Sequence, residues 1–525
     1  MSEPRKYFAS DYDVIVIGGA LSGLASALQL AAKDKKVLVL EQHNLPGGVA
    51  TSFVRGGVEI EATLHEMMSI GPKECPLKIR TFLEEMGVDI EWIRVPDAYR
   101  FVSPDVSVLI HPGDHGNFET PAKEIVEACG EKVGSGLYEK IMKFFTLCLN
   151  VYNSMNELSI HPMSKPMMLL KHNDFVRTAG YTAKEVVETF HLPKRAIDIL
   201  SAYWIYVGSP LSELPFTIFA FLLADYLGYG SYIPKKFSHE MALKMAEAAE
   251  KKGVQIEYGQ RVDKILVENG RVKGVRLASG IELPCKYVIS GAYPNKVYTS
   301  MVEPLTEVPE QAIKWVNAKD VGVTCFSVVM LLDAEPEELN IHDYSTFYAP
   351  DGMDLDQIWE GNATDGPWNY ITSICTNLGN PGCTPKGTCI YSITNLPRPA
   401  SYMGVTEENY EELNRKNAEH FIDLESKRLG VNLRDHILEL VIESPVTIAH
   451  YTGAWLGSIY GFRHMISDHV IARLQMGEGE HYIHGLAFNG AHQISGDGMG
   501  PAITNGRKGA KDILEMMAED AREGK

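Results

Sequence analysis

The sequence predicts a mixed α/β protein in which a Rossmann-type unit is assembled from distant parts of the chain. Three observations carry the prediction. Val14 to Ile17 is a continuous apolar run that passes at once into Gly18-Gly19-Ala20-Leu21-Ser22-Gly23. Val37 to Leu40 is a second apolar run, and it ends in an acid, Glu41. Near the far end, Gly490-Ala491 and Gly496-Asp497-Gly498-Met499-Gly500 lead into a segment of helical composition.

Each element follows from its residues. Uninterrupted apolar runs are what strands buried on both faces of a parallel sheet require. Leu24 to Lys33, rich in Ala and Leu, is a good helix former between them. Strand, glycine turn, helix, strand and acid stand in the order of a dinucleotide-binding βαβ unit. Gly18 allows the tight turn, and the backbone near Gly19 and Ala20 can approach a pyrophosphate. The N–H groups of the helix start, at Ser22 and Gly23, face an anion. Glu41 stands 23 residues after Gly18, where it can accept hydrogen bonds from a ribose diol. Ala20 occupies the place of the usual middle glycine and is the smallest possible replacement. A glycine turn that binds nothing is the competing reading, and Glu41 and the strand context weigh against it.

Pro46-Gly47-Gly48 form another backbone-exposing loop just after Gln42. Over 254–288, short alternating strands are broken by Glu268-Asn269-Gly270 and Ser279-Gly280, which are hairpin signals. Tyr482 to Asn489 reads as a strand, Gly490-Ala491 turns it, and Pro501 suits the first turn of a helix continued by Ala502 to Met516. A glycine loop feeding a helix start is again an anion or carbonyl site. Between these pieces, Pro121 to Leu227 is helical in pattern. Ile199 to Tyr206 and Leu214 to Leu227 are rich in aromatic residues. Such stretches suit a buried core, the wall of a tunnel for a long apolar ligand, or a membrane-dipping face.

Composition narrows the function. The 525 residues allow about three domains. Lys and Arg number 49 against 68 Asp and Glu, for a net charge of −19. That field repels phosphate backbones, so no nucleic acid is expected. The 45% hydrophobic and 22% charged residues fit a soluble globular protein. The eight cysteines are scattered, with no CxxC and no zinc spacing, which indicates reduced cytoplasmic thiols and no metal site. The first residues carry no signal or transit pattern. No uncharged stretch reaches the ~18 apolar residues of a membrane span. Peripheral contact with a membrane surface stays open.

GGALSGL at 18–24 and LEQHNLPGGVATSF at 40–53 together resemble the amine-oxidase-like flavoproteins, and more narrowly the phytoene desaturase, carotenoid isomerase and retinol saturase family. The block VQIEYGQRVDKILVENGRVKGVRLASGIELPCKYV at 254–288 is similar to the family's second stretch. NLGNPGCTPKGTCIYSITNLP at 377–397 and WLGSIYG at 455–461 are weaker matches. YIHGLAFNGAHQISGDGMGPAITNGRKGAKDI at 482–513 resembles the family's C-terminal flavin motif. The resemblance runs in order along nearly the whole chain.

The resemblance implies a discontinuous Rossmann-type FAD-binding domain of the two-dinucleotide-binding type, with an inserted substrate-binding domain. Residues 1–115, 228–300 and 466–525 would form the FAD domain. Residues 116–227, helical, and 301–465 would form the substrate domain. FAD would lie along Gly18, Gly19, Ala20, Ser22, Gly23, Glu41, Gln42, Gly47 and Gly48, with Val262 against the adenine. Gly490, Asp497, Gly498 and Met499 would lie beside the isoalloxazine. No second nucleotide fingerprint follows, so electrons would pass to or from a separate quinone, oxygen or electron-transfer protein, or the reaction would be redox-neutral.

The chain also departs from the carotenoid desaturases. Tyr232-Ile233-Pro234-Lys235-Lys236-Phe237 replaces a glycine-rich stretch, Glu59 to Glu66 replaces an apolar and acidic one, and His492 to Gly498 alters the C-terminal loop. Titratable groups thus enter positions that face the flavin in the family. His65 and Glu66 are the first candidates for proton transfer, with Asp497 and His492 next. A satisfied structural histidine, and an Asx turn at Asp497, are the competing readings. The implied activity is an FAD-dependent oxidoreductase that adds or removes hydrogen across a carbon–carbon bond of an apolar, polyene or isoprenoid small molecule. Its rivals are a redox-neutral isomerase using reduced FAD, an FAD amine oxidase, and a non-enzymatic lipid-binding relative.

Overall fold

The computed structural model describes residues 8, 11–63, 65–160, 163–468, 481–493, 496 and 498–524. Its centre is a five-stranded, wholly parallel sheet in the order Leu486–Phe488, Val288–Ser290, Val14–Ile17, Val37–Leu40, Gln255–Glu257. The strands come from three widely separated segments. Every residue of Val14–Ile17 and Val37–Leu40 is buried, as two-sided coverage demands.

The helices Leu21–Ala31, Phe237–Lys251 and Met499–Glu523 share an apolar cluster against one face. Two glycines set the closest contacts. A Cβ on Gly506 would fall 2.2 Å from the Ser22 carbonyl oxygen, and one on Gly509 would fall 2.6 Å from that of Phe488. The C-terminal helix therefore lies backbone against backbone on the first helix and on the last strand. It outruns the expected 502–516, starting at Met499 and ending where Gly524, at φ +70°, caps it in the left-handed region. On the opposite face a four-stranded sheet, Glu282–Pro284, Arg271–Leu277, Val262–Glu268 and Val302–Glu303, closes a third layer.

A second body is built on a seven-stranded mixed sheet: Ile437–Glu443, Phe326–Leu332, Cys389–Asn395, Ile371–Cys375, Ser345–Tyr348, Tyr99–Ser103 and Val106–Ile110. One face packs on the helix Tyr410–Leu429. The other meets the hairpin Ser52–Arg55 and Val58–Glu61 through Val58, Ile60, Val329, Leu331 and Ile390. The strands Tyr99–Ser103 and Val106–Ile110 lie within residues 1–115, the first expected FAD-binding segment, and they extend this second sheet, because Thr346 to Tyr348 pair in parallel with Arg100 to Val102. A pairing across more than two hundred residues leaves no local mark.

The aromatic stretches form a 3-10 helix, Ala202–Tyr206, and the helix Phe216–Gly228. Both belong mainly to a large core shared with Glu119–Ala128 and Gly136–Ile160. Among the described residues, no helix is long and apolar enough to cross a membrane.

Candidate functional site

One cavity of about 1050 Å³ runs from the glycine turn at residue 18 to the helix Phe216–Gly228. The carboxyl ends of the parallel strands open into it, which is where ligands bind in such sheets.

At the first end, Gly18 takes φ +99° and its N–H donates to the Leu40 carbonyl at 2.9 Å. Gly23 allows the helix to close on the strand, for a Cβ there would stand 1.9 Å from the Gly18 oxygen. The helix Leu21–Ala31 begins at Ala20 with no side-chain cap, so its first-turn N–H groups, those of Ser22 and Gly23 included, are available to an anion. Glu41 is buried. Its Oε2 accepts from the Gly19 N–H at 2.6 Å and its Oε1 from the His43 N–H at 2.7 Å. Both bonds hold the carboxylate at the strand tip that lines the cavity.

The second glycine loop lies directly on the first. Gly47 donates to the Gly19 carbonyl at 2.9 Å, and Ala20 bridges to Gly47. A Cβ on Gly48 would come 2.9 Å from that of Ala20. Gln42 Nε2 reaches the Thr452 carbonyl at 3.2 Å. Val262, buried, lines the cavity beside Gln260, whose N–H donates to the Glu41 carbonyl at 2.8 Å.

The C-terminal loop supplies another wall. Gly490, His492, Gly498 and Met499 line the cavity, and the long helix begins at Met499 after Gly498, at φ +97°, with no side-chain cap. Asn505 ties the loop down through the Gly490 and Gly496 carbonyls, at 3.2 and 3.1 Å. The His492 ring folds over Gly490 and packs edge-on to Phe488 and Phe462. Asp497 lies outside the described residues.

At the far end the structure brings His65 and Glu66 together with residues the sequence did not single out. They follow the strand Val58–Glu61 and are fixed by Met67, which exchanges backbone hydrogen bonds with Tyr232 at 2.8 and 3.0 Å. The Tyr344 hydroxyl donates to the His65 carbonyl. His65 Nε2 stands 3.5 Å from the Thr394 hydroxyl. The Tyr206 hydroxyl donates to Glu66 Oε1 at 3.1 Å, and Ser231 donates to Oε2.

Burial dominates the electrostatics here. It pushes the Glu66 carboxyl up to about 8, against the pull of Ser231 and Tyr206. It lowers the imidazolium of His65 to about 4. Near neutral pH the site therefore holds a protonated acid beside a neutral base. Tyr203, Tyr206, Tyr226 and Phe347 cluster around it, with Tyr203 and Tyr226 rings 4.7 Å apart. Ile205, Tyr206, Leu222 and Tyr226 are the edge of the aromatic helices that reaches the cavity. Those stretches are thus mostly core, with one lining edge.

Sequence reasoning missed Glu443, a buried acid in the same cavity. The signal was its phase: two residues after the inward Val441, an acid occupies an inward strand position. Among the described residues, no cluster of His, Cys, Asp or Glu could hold a metal ion.

Residues 21–336 match the family described as flavin-containing amine oxidoreductase. The chain is 25% identical over 455 residues to a chloroplastic prolycopene isomerase of Daucus carota, spanning 84% of this chain and 70% of that protein. It is 26% identical over 364 residues to an all-trans-retinol 13,14-reductase of Rattus norvegicus, spanning 66% and 58%. A redesigned putrescine oxidase superposes with a TM-score of 0.63 at 14% identity, over 97% of this chain and 99% of that one, and so shares its fold.

Proposed function

The chain belongs to the flavin-containing amine oxidoreductases, and from that premise we propose that it is an FAD-dependent oxidoreductase that adds or removes hydrogen across a carbon–carbon bond of an apolar polyene. One observation carries the reading. A single cavity joins a dinucleotide cradle to a half-buried His65 and a buried Glu66, walled by aromatic and aliphatic side chains.

The residues fit FAD. Glu41, held between two backbone N–H groups, presents its remaining acceptor capacity to a ribose diol. Gly19 and Gly23 keep the turn flat enough for backbone to meet a pyrophosphate, and the uncapped starts of the first and last helices face its charge and the isoalloxazine edge. Val262 would flank the adenine. Bound FAD supplies the hydride acceptor or donor. This chain's own groups manage the proton. Glu66, protonated near neutral pH, is placed to give one to a substrate carbon. His65, neutral, is placed to accept one, with Thr394 beside its Nε2. The aromatic wall excludes water around the pair.

The relatives named for retinol reduction and prolycopene isomerisation support a polyene substrate. The isomerase relative also favours a second reading, a redox-neutral shift using reduced flavin. Two measurements test the proposal. Flavin released by heat is identified by mass, and FMN or no flavin sinks the cofactor assignment. Anaerobically reduced holoenzyme is then mixed with a polyene. Flavin reoxidation with loss of one double bond supports reduction, isomerisation without net flavin oxidation supports the second reading, and turnover of amines alone refutes both.

A further inference from the structure

The seven-stranded sheet turns a row of polar side chains into the cavity that the proton-transfer pair does not account for. Ser327 stands opposite Glu443 on one side and Thr394 on the other, and Thr394 stands opposite Thr372. All four line the cavity. At the ordinary spacing between strands the row is about 14 Å long. Ser327 and Thr394 hydroxyls are 2.8 Å apart, and Thr372 donates to the Thr394 carbonyl at 3.3 Å. The row thus runs from near His65 to an acid.

That acid is the unusual member. Glu443 is 6% exposed, and its Oε2 is buried without a hydrogen-bond partner. Buried polar atoms nearly always have partners, so an orphan on a residue that lines a ligand cavity marks a place where a ligand completes the bond. Burial, reinforced by the Glu61 carboxyl, pushes the Glu443 pKa up to about 8. A protonated acid donates to an oxygen. Cys325, close enough to feel its charge, and Ile442 line the cavity with it.

We propose that Glu443, with Ser327 beside it, binds an oxygen atom of the substrate, a hydroxyl or a carbonyl. The ligand is then an oxygenated apolar chain and not a pure hydrocarbon. Its oxygen lies at the Glu443 end, and its apolar body extends along the sheet toward Leu222 and Tyr226. The proposal rests on the reading of this cavity as a polyene site.

The test compares two probes on the holoenzyme: all-trans-retinol and the hydrocarbon that lacks its hydroxyl. Binding is read from the shift in polyene absorbance. Wild type binds the alcohol more tightly. Glu443→Leu weakens the alcohol about 10- to 100-fold and leaves the hydrocarbon unchanged, while Glu443→Gln keeps most of the preference through its amide N–H. Should the leucine variant fail to fold, infrared difference spectra of wild type and Glu443→Gln decide. The protonated-carboxyl band that glutamine abolishes shifts with the alcohol and not with the hydrocarbon. Equal binding of both probes by wild type overturns the assignment and leaves the polyene reading standing. So does a Glu443→Gln variant that changes flavin content alone, since the acid then serves the cofactor. Binding of neither probe overturns both.

Discussion

Glu66→Gln tests the buried acid at its root. Glutamine keeps the shape of the side chain and can still bond to Tyr206 and Ser231, but it cannot ionise. In the wild type, folding raises the carboxyl from 4.5 to about 8, chiefly by desolvation. The folded protein therefore holds a proton that the unfolded chain releases across that interval. Stability must fall as pH rises through it and level off above about 8. At ~1.4 kcal/mol per pH unit, the loss is on the order of 5 kcal/mol. Urea unfolding of wild type and variant, side by side from about pH 5 to about pH 9, isolates the one group, because Glu443 and every other carboxyl are common to both. The variant should gain on the wild type steadily with pH, by several kcal/mol at the alkaline end. Its turnover should be low at every pH, while that of the wild type falls above about 8 as the donor ionises. Parallel stability curves would mean that Glu66 ionises freely in the folded state, and the proton-donor role would fall with that result.

Three further substitutions read the other parts of the site. Glu41→Ala should lower FAD affinity roughly tenfold or more, by removing the charge-assisted acceptor, and equilibrium flavin titration checks it; unchanged affinity means the fingerprint is misread. Gly23→Ala should abolish flavin binding, since the new methyl meets the Gly18 oxygen at 1.9 Å; a yellow, normally stable variant would refute that packing. His65→Phe should keep its flavin and lose turnover toward the ~10²–10⁴-fold range of general acid–base catalysis in single-turnover kinetics; a loss under about threefold makes His65 structural.

How far the site could be read in advance follows from how locally it is written. The glycine turn and its acid were legible because each requirement is met within a few residues: Gly18 takes a positive φ, Gly23 a close approach, and Glu41 directly follows the very next strand. His65 and Glu66 were legible by position, because they follow a strand that itself follows the second glycine loop. The proton environment was not. Ser231 and Tyr206 reach Glu66 across 165 and 140 residues, and Thr394 reaches His65 across 329. The register of the seven-stranded sheet decides which hydroxyls meet the cavity, and a one-residue slip in any strand would turn its members to the opposite face. Phe326–Leu332 reads as a continuous apolar strand in which Ser327 is a minor interruption, yet its pairing with Glu443 and Thr394 makes that serine the middle of a polar row. The same register sends Val329 and Leu331 against the hairpin Val58–Glu61, the strand that delivers His65. The packing that buries the hairpin and the alignment of the hydroxyls with the imidazole are therefore one structural fact. A substitution that loosens Val329 or Leu331 should disturb proton transfer before it disturbs flavin binding.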